Sequence, residues 1–159
     1  MAAHKKKKGE AAIRIQNRRA RYEYHILETV EAGISLLGTE VKSVRAGKVQ
    51  LRDSYVDFVR GEAFLVAAHI SPYSHGNREN HDPERRRKLL LHRREIEKYF
   101  GRVQQKGFAM VPLSMYVSGN RIKVELALAQ GKKLHDKRAS EREREMQREV
   151  AETLNRRDW

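Results

Sequence analysis

The chain has 159 residues, 39% of them hydrophobic and 35% charged, which suits one domain with a modest core and extensions outside it. Its 34 Lys and Arg against 21 Asp and Glu give a formal net charge of +13, which points to a polyanionic partner and to nucleic acid first, because each neutralised phosphate releases counterions. The absence of cysteine excludes disulfides and thiolate metal sites and fits a reducing cytoplasm, the expected location; no apolar run is long enough to span a bilayer, no h-region follows the N-terminal lysines, and no basic stretch has the apolar face of an interfacial helix.

Residues 1–16, with Lys5 to Lys8 and Arg14, read as a flexible basic arm, and the basic character runs on through Arg18, Arg19 and Arg21. From Tyr24 the pattern alternates, with His25, Leu27 and Thr29 on one face and Ile26, Glu28 and Val30 on the other. This predicts a strand, then a turn at Glu31-Ala32-Gly33 and a returning strand from Ile34 to Leu37. Gly38 to Lys48 predicts a short helix with Thr39 as N-cap, Glu40 in the first turn, Arg45 in the last and Gly47 in the left-handed position beyond it. Val41 and Val44 make one stripe of that helix, while Lys42 and Arg45 make a cationic edge. So short a helix must be held by its neighbours.

Val49 to Val59 predicts a strand bent around Arg52-Asp53-Ser54, with a hairpin at Arg60-Gly61 and a strand from Glu62 to Ile70 covered on both sides. Ser71 to His81 is a polar loop. Asp82-Pro83-Glu84 has the features of a helix start, and the apolar positions from Leu89 to Val103 fit one or two amphipathic helices with a break near His92. Phe108 to Val117 and Arg121 to Ala129 predict two strands around Ser118-Gly119-Asn120, with Pro112 marking an edge or an irregularity. The expected fold is mainly β with helices: an antiparallel six-stranded barrel of the oligonucleotide-binding kind over residues 17–130, with flanking helices and a C-terminal tail, 131–159, that is disordered until bound. In the tail, Met146, Val150 and Leu154 form one narrow apolar stripe among alternating charges whose helical pairings are each worth only about 0.2–0.5 kcal/mol.

No phosphate loop, dinucleotide turn or His-Glu-x-x-His motif occurs. His69, His75 and His81, six apart, are the one catalytic possibility, as acid and base of a ribonuclease; their spacing matches no metal site, and histidines in polar loops are more often surface residues or phosphate contacts. The sequence therefore reads as a binding module, not an enzyme, with no metal and no cofactor. For binding, Lys42, Arg45 and Lys48 lie close in sequence to Tyr55, with Tyr24 and Asn17 approaching from the N-terminal side, a combination of phosphate contacts and a ring for stacking.

Several blocks together resemble the bacterial small protein B family, the SsrA-binding proteins. They are Asn17-Arg18-Arg19-Ala20-Arg21-Tyr22-Glu23-Tyr24, Glu31-Ala32-Gly33, Gly38-Thr39-Glu40-Val41-Lys42-Ser43-Val44-Arg45, Asp53-Ser54-Tyr55-Val56, His69-Ile70-Ser71-Pro72-Tyr73, Arg87-Lys88-Leu89-Leu90-Leu91 and Gly131-Lys132-Lys133 with Asp136-Lys137-Arg138. The resemblance runs from Asn17 to Arg138. It implies binding to the tRNA-like domain of transfer-messenger RNA and its delivery to the vacant A site of stalled ribosomes in trans-translation. It implies as partners that RNA, the decoding centre and message channel of the ribosome, and elongation factor Tu and alanyl-tRNA synthetase through the RNA, with no membrane involved. Carried over by position, the RNA-facing set is Asn17, Glu31, Lys42, Arg45, Tyr55, Leu90 and Lys123, with Glu31 and Leu90 acting by contact or through packing and turn geometry. Arg19, Tyr24, Lys48 and Lys88 complete it. The implied ribosome-facing tail comprises Lys132, Lys133, His135, Asp136, Lys137 and Arg138. The alternatives are a general structured-RNA-binding or ribosome-associated protein and the histidine ribonuclease.

Overall fold

The computed structural model describes residues 13–74, 80–132 and 134–157. In chain order the elements are β1 (Arg14–Gln16), α1 (Ala20–Glu23), β2 (Tyr24–Ile34), α2 (Gly38–Arg45), β3 (Val49–Gln50), β4 (Tyr55–Val59), β5 (Glu62–Val66), β6 (His69–Ile70), β7 (Arg87–Leu90), α3 (Arg93–Val103), β8 (Phe108–Ser118), β9 (Arg121–Gly131) and α4 (Leu134–Arg157). Three strands of 11 residues, β2, β8 and β9, form the centre of a seven-stranded antiparallel sheet ordered β1-β8-β9-β2-β7-β5-β4. One face of this sheet buries Leu65, Leu89, Met115, Val124 and Leu126 with Val44 of α2 and Tyr99 of α3. On the other, Val111, Leu113, Ala127 and Ala129 pack beneath Ala20 of α1. Small residues on β9 let the short helix come close.

The fold is antiparallel and mainly β, as the alternation predicts, but the described residues form nine strands and not six, and their ladder does not close into a barrel. The sheet rolls until β4 approaches β8, yet β4 is hydrogen-bonded only to β5. The count rises because β1 and β7 are new and two expected strands each divide, 49–59 into β3 and β4 and 62–70 into β5 and β6, while the two read on either side of residues 31–33 are one. β1 lies within the segment read as a flexible arm: Arg14 to Gln16 pair with Tyr116 to Ser114, giving the edge of β8 a partner. The run from Glu62 to Ile70 breaks at Ala67, whose φ of 63° ends β5 and turns β6 away to pair with β3 in a separate two-stranded sheet.

Two further expectations are corrected. Glu31-Ala32-Gly33 does not turn: Gly33 is paired to Lys123 on one side and Leu90 on the other, so the extended backbone is satisfied on both edges and β2 continues to Ile34. Asp82-Pro83-Glu84 starts a turn, with the Asp82 carboxylate accepting the Glu84 N–H at 3.0 Å, and β7 follows. Along β7, Arg87 and Leu89 are buried while Lys88 and Leu90 are exposed, a period of two that a helix could not supply. The helix starts only at Arg93, where the His92 N–H is accepted by the Glu95 carboxylate at 3.1 Å. Within the tail, Leu134–Arg157 form the 24-residue helix α4, clasped to α1 by Tyr22, whose hydroxyl donates to Glu141 at 3.0 Å. Pro112 meets its expectation, at a register shift between β8 and β9.

Candidate nucleic-acid interface

The helix α2 carries the cationic edge, and an ion pair in the core holds it there. Glu40 faces inward and is fully buried; its carboxylate accepts the Leu37 N–H at 2.8 Å, Arg85 at 2.6 Å and the equally buried Arg87 Nε. Arg87 also donates to the carbonyls of Ala68 at 2.7 Å and Pro83 at 3.0 Å. A buried pair of this kind survives only when its remaining donors and acceptors are satisfied, and here they clamp the helix N-terminus, β7 and the end of the polar loop together. Leu37, and not Thr39, takes the N-cap position. The Thr39 hydroxyl is hydrogen-bonded to His81 at 2.9 Å. At the other end, Gly47 adopts a φ of 74°; its N–H bonds the Val44 carbonyl at 2.9 Å and that of Lys48 the Ser43 carbonyl at 3.0 Å, a Schellman closure that ends the helix in solvent. Lys42, Arg45 and Lys48 are all exposed.

The aromatic ring beside this edge is Tyr73, which lies 5.1 Å from the Lys42 Nζ. Tyr55 was expected there; instead it lines a cavity of about 370 Å³ in the unzipped seam between β4 and β8, together with Asn17, Arg19 and Tyr24. Tyr55 is 46% exposed, so its ring face is available for stacking. Asn17 works from inside: its amide donates to the carbonyls of Leu51 at 3.2 Å and Pro112 at 2.9 Å, tying the start of the domain to the bend before β4 and the irregularity in β8. Burial raises the pKa of the Tyr24 phenol, with help from the charges of Glu23 and Asp53. Arg19 leans on Glu23 at 3.6 Å.

A second group gathers where β2, β7 and β9 pair. Glu31, Leu90 and Lys123 line one groove of about 750 Å³ with Gly33 and Val41. Lys123 donates to the Glu31 carboxylate at 2.6 Å and Tyr116 donates to its other oxygen; the lysine bond and then the tyrosine bond lower the Glu31 pKa. Burial and this bond push the Tyr116 phenol up to about 12, so it remains a donor at physiological pH. A Cβ on Gly33 would meet the Leu90 Cβ at 3.2 Å, a tight contact that would push on a leucine standing 56% exposed. Lys88 shares the exposed face of β7 but is paired to Glu62 at 3.2 Å and lines neither cavity.

In the tail, Lys132 donates to the Arg21 carbonyl at 2.9 Å and to Ser140 at 2.6 Å. Lys133 and His75 lie outside the described residues; His135 and Asp136 fall in the first turn of α4, Lys137 is half-buried, and Arg138 is exposed. His69 and His81 are held by separate partners. His81 is buried with both ring nitrogens engaged, by Thr39 and by the Ile70 carbonyl at 2.8 Å, while His69 faces Glu84 at 3.9 Å. Among the described residues no group of three His, Asp or Glu is placed to hold a metal, and no helix is long and apolar enough to cross a membrane. Tyr73 and Tyr116 were missed by sequence reasoning. Tyr116 could have been found from its place two residues beyond Ser114 on an alternating strand, whereas nothing local marks Tyr73.

The family model described as SmpB protein matches residues 14–156. An SsrA-binding protein of Microcystis aeruginosa is 56% identical over 141 residues, covering 88% of this chain and 92% of the relative. One of Carboxydothermus hydrogenoformans is 53% identical over 139 residues, covering 87% and 93%. A chain solved in a structure described as "tmRNA-SmpB: a journey to the center of the bacterial ribosome" superposes with a TM-score of 0.66 at 52% identity, covering 76% of this chain and 85% of that one. With the match spanning β1 to α4, the chain belongs to the SmpB family.

Proposed function

We propose that the chain binds the tRNA-like domain of transfer-messenger RNA and carries it to the A site of ribosomes stalled on truncated messages, where the nascent peptide is tagged and the ribosome released. The observation that carries this reading is the match to SsrA-binding relatives along nearly the whole chain. The geometry supports it with a stacking ring in the seam cavity, a cationic edge on α2 and a groove holding Glu31, Leu90 and Lys123. The rolled sheet serves as the oligonucleotide-binding platform, and the protein acts in the cytoplasm as an adaptor without catalysis of its own. Elongation factor Tu and alanyl-tRNA synthetase meet it through the RNA. On the ribosome, α4 leaves α1 and occupies the empty message channel, with Asp136, Lys137 and Arg138 entering first and His135 beside the decoding centre.

Binding of the tRNA-like domain against an unrelated structured RNA of equal length, across a salt series, tests this. Preference for the tRNA-like domain is expected, and equal affinity for both RNAs would favour a general RNA-binding protein. Lys42→Ala with Arg45→Ala is expected to flatten the slope of log affinity against log salt by roughly 1.4 to 1.8, one phosphate contact per residue. Because Leu90 is exposed, Leu90→Ala is expected to leave the unfolding free energy within about 0.5 kcal/mol while weakening RNA binding several-fold. Unchanged binding would remove Leu90 from the site.

A further inference from the structure

Between α4 and the domain lies a groove of about 730 Å³ that the reading above does not use. Arg14 of β1 and Arg18 and Arg21 around α1 line one wall; Arg144 and Arg148 of α4 line the other. Among the described residues, Glu125 is the single carboxylate in the lining, and it is already engaged by Arg14 at 3.5 Å. The part of α4 that lines the groove is Arg144, Gln147, Arg148 and Ala151; Glu141 lies one turn earlier on the same stripe but is bonded to Tyr22, and Glu143, Glu145, Glu149 and Glu152 are not in the lining. The helix could have offered its acids to the arginines of α1. To the groove it offers arginines instead, and the Tyr22–Glu141 and Lys132–Ser140 hydrogen bonds tie its N-terminal half to the domain.

Five guanidiniums around one neutralised carboxylate repel each other unless an anion lies among them. Guanidinium forks match phosphate oxygens, and the groove is open and elongated rather than a pocket for one small ion. We infer that the groove is a separate, sequence-independent site for the sugar–phosphate backbone of single-stranded RNA, with α4 as its movable wall. Binding of the backbone and docking of α4 are then mutually stabilising, since whatever the docked helix adds to RNA affinity the RNA adds to docking. The site goes beyond recognition of the tRNA-like domain and does not require it.

The test uses the full chain and a short oligouridine, which has no tRNA fold. Arg144→Gln with Arg148→Gln is expected to weaken oligouridine binding on the order of tenfold and to flatten its salt slope by about 1.4, leaving affinity for the tRNA-like domain within about twofold. Arg94→Gln with Arg142→Gln, which removes the same charge from exposed positions outside the groove, is expected to change oligouridine binding by less than about twofold. Equal losses in the two double variants would show that net charge alone is read, and would overturn the site. Because the chain has no cysteine, spin labels on Ser118→Cys and Met146→Cys report docking directly. Saturating oligouridine is expected to narrow their distance distribution, and an unchanged distribution would overturn the coupling. Loss of preference for the tRNA-like domain would sink the proposed function and leave these oligouridine results standing.

Discussion

Arg87→Met is expected to lower the unfolding free energy by about 3–5 kcal/mol, measured by urea denaturation at neutral pH. The substitution keeps most of the volume but leaves the Glu40 carboxylate at full burial with only Arg85 and the Leu37 N–H, takes the arginine donor from the Ala68 carbonyl, and leaves the Pro83 carbonyl with the Ile70 N–H alone. Burial alone pushes the Glu40 pKa up; the bonds from Arg85, Leu37 and Arg87 outweigh it and bring the group below its ordinary 4.5. A carboxyl depressed in the folded state stabilises above its unfolded pKa and loses that contribution as pH falls through the folded one. The wild-type protein is therefore expected to weaken progressively below pH 4.5, and the gap between wild type and Arg87→Met to shrink over the same range as Glu40 protonates in both. A gap that stays constant with pH would mean that lost packing, and not the stranded carboxylate, sets the effect. Because α2 hangs on this pair, the variant should also lose RNA affinity under conditions where it is still folded.

Truncation after Gly131 separates holding the RNA from acting on the ribosome. Every residue lining the seam cavity and the Glu31–Lys123 groove precedes Gly131, as does the cationic edge of α2. Affinity for the tRNA-like domain is thus expected to stay within about threefold, less than 1 kcal/mol, while peptide tagging on stalled ribosomes falls to background. Stability should change little, because the bond from Tyr22 to Glu141 is on the surface, where such pairs are worth at most about 1 kcal/mol. Parallel loss of binding and tagging would place the tail within the RNA site.

The two experiments reach different parts of one design. Arg87 secures the proposed RNA surface, and α4 is the part proposed to leave it on the ribosome. The exposed stripe of Met146, Val150 and Leu154, 66%, 58% and 58% accessible, covers nothing in the docked helix and remains available when the tail moves.

Much of this protein is set by local sequence. Strict alternation defined β9 and the first part of β2, since only a period of two places Val124, Leu126 and Leu128 on one face. Gly47 closed α2 as expected because a Schellman turn needs φ > 0, and Arg60-Gly61 made its hairpin with φ of 50° and 76° for the same reason. The cationic edge of α2 and the Asn17, Tyr24 and Tyr55 group were equally legible. Tertiary structure decided the rest. Asp82-Pro83-Glu84 has every local mark of a helix start, but Arg87 can reach Glu40, 47 residues away, only from a strand, and satisfying a buried charge outweighs the propensity of one turn. Gly33 reads locally as a turn, yet it is paired on both edges, with Leu90 close on the neighbouring strand. Tyr73 joins Lys42, Tyr116 joins Glu31, and Arg144 faces Arg18 only because the sheet rolls and α4 folds back across α1. Local pattern fixes which face of each element is apolar; which charges meet across the fold depends on long-range pairing, and that leaves no period in the sequence to read.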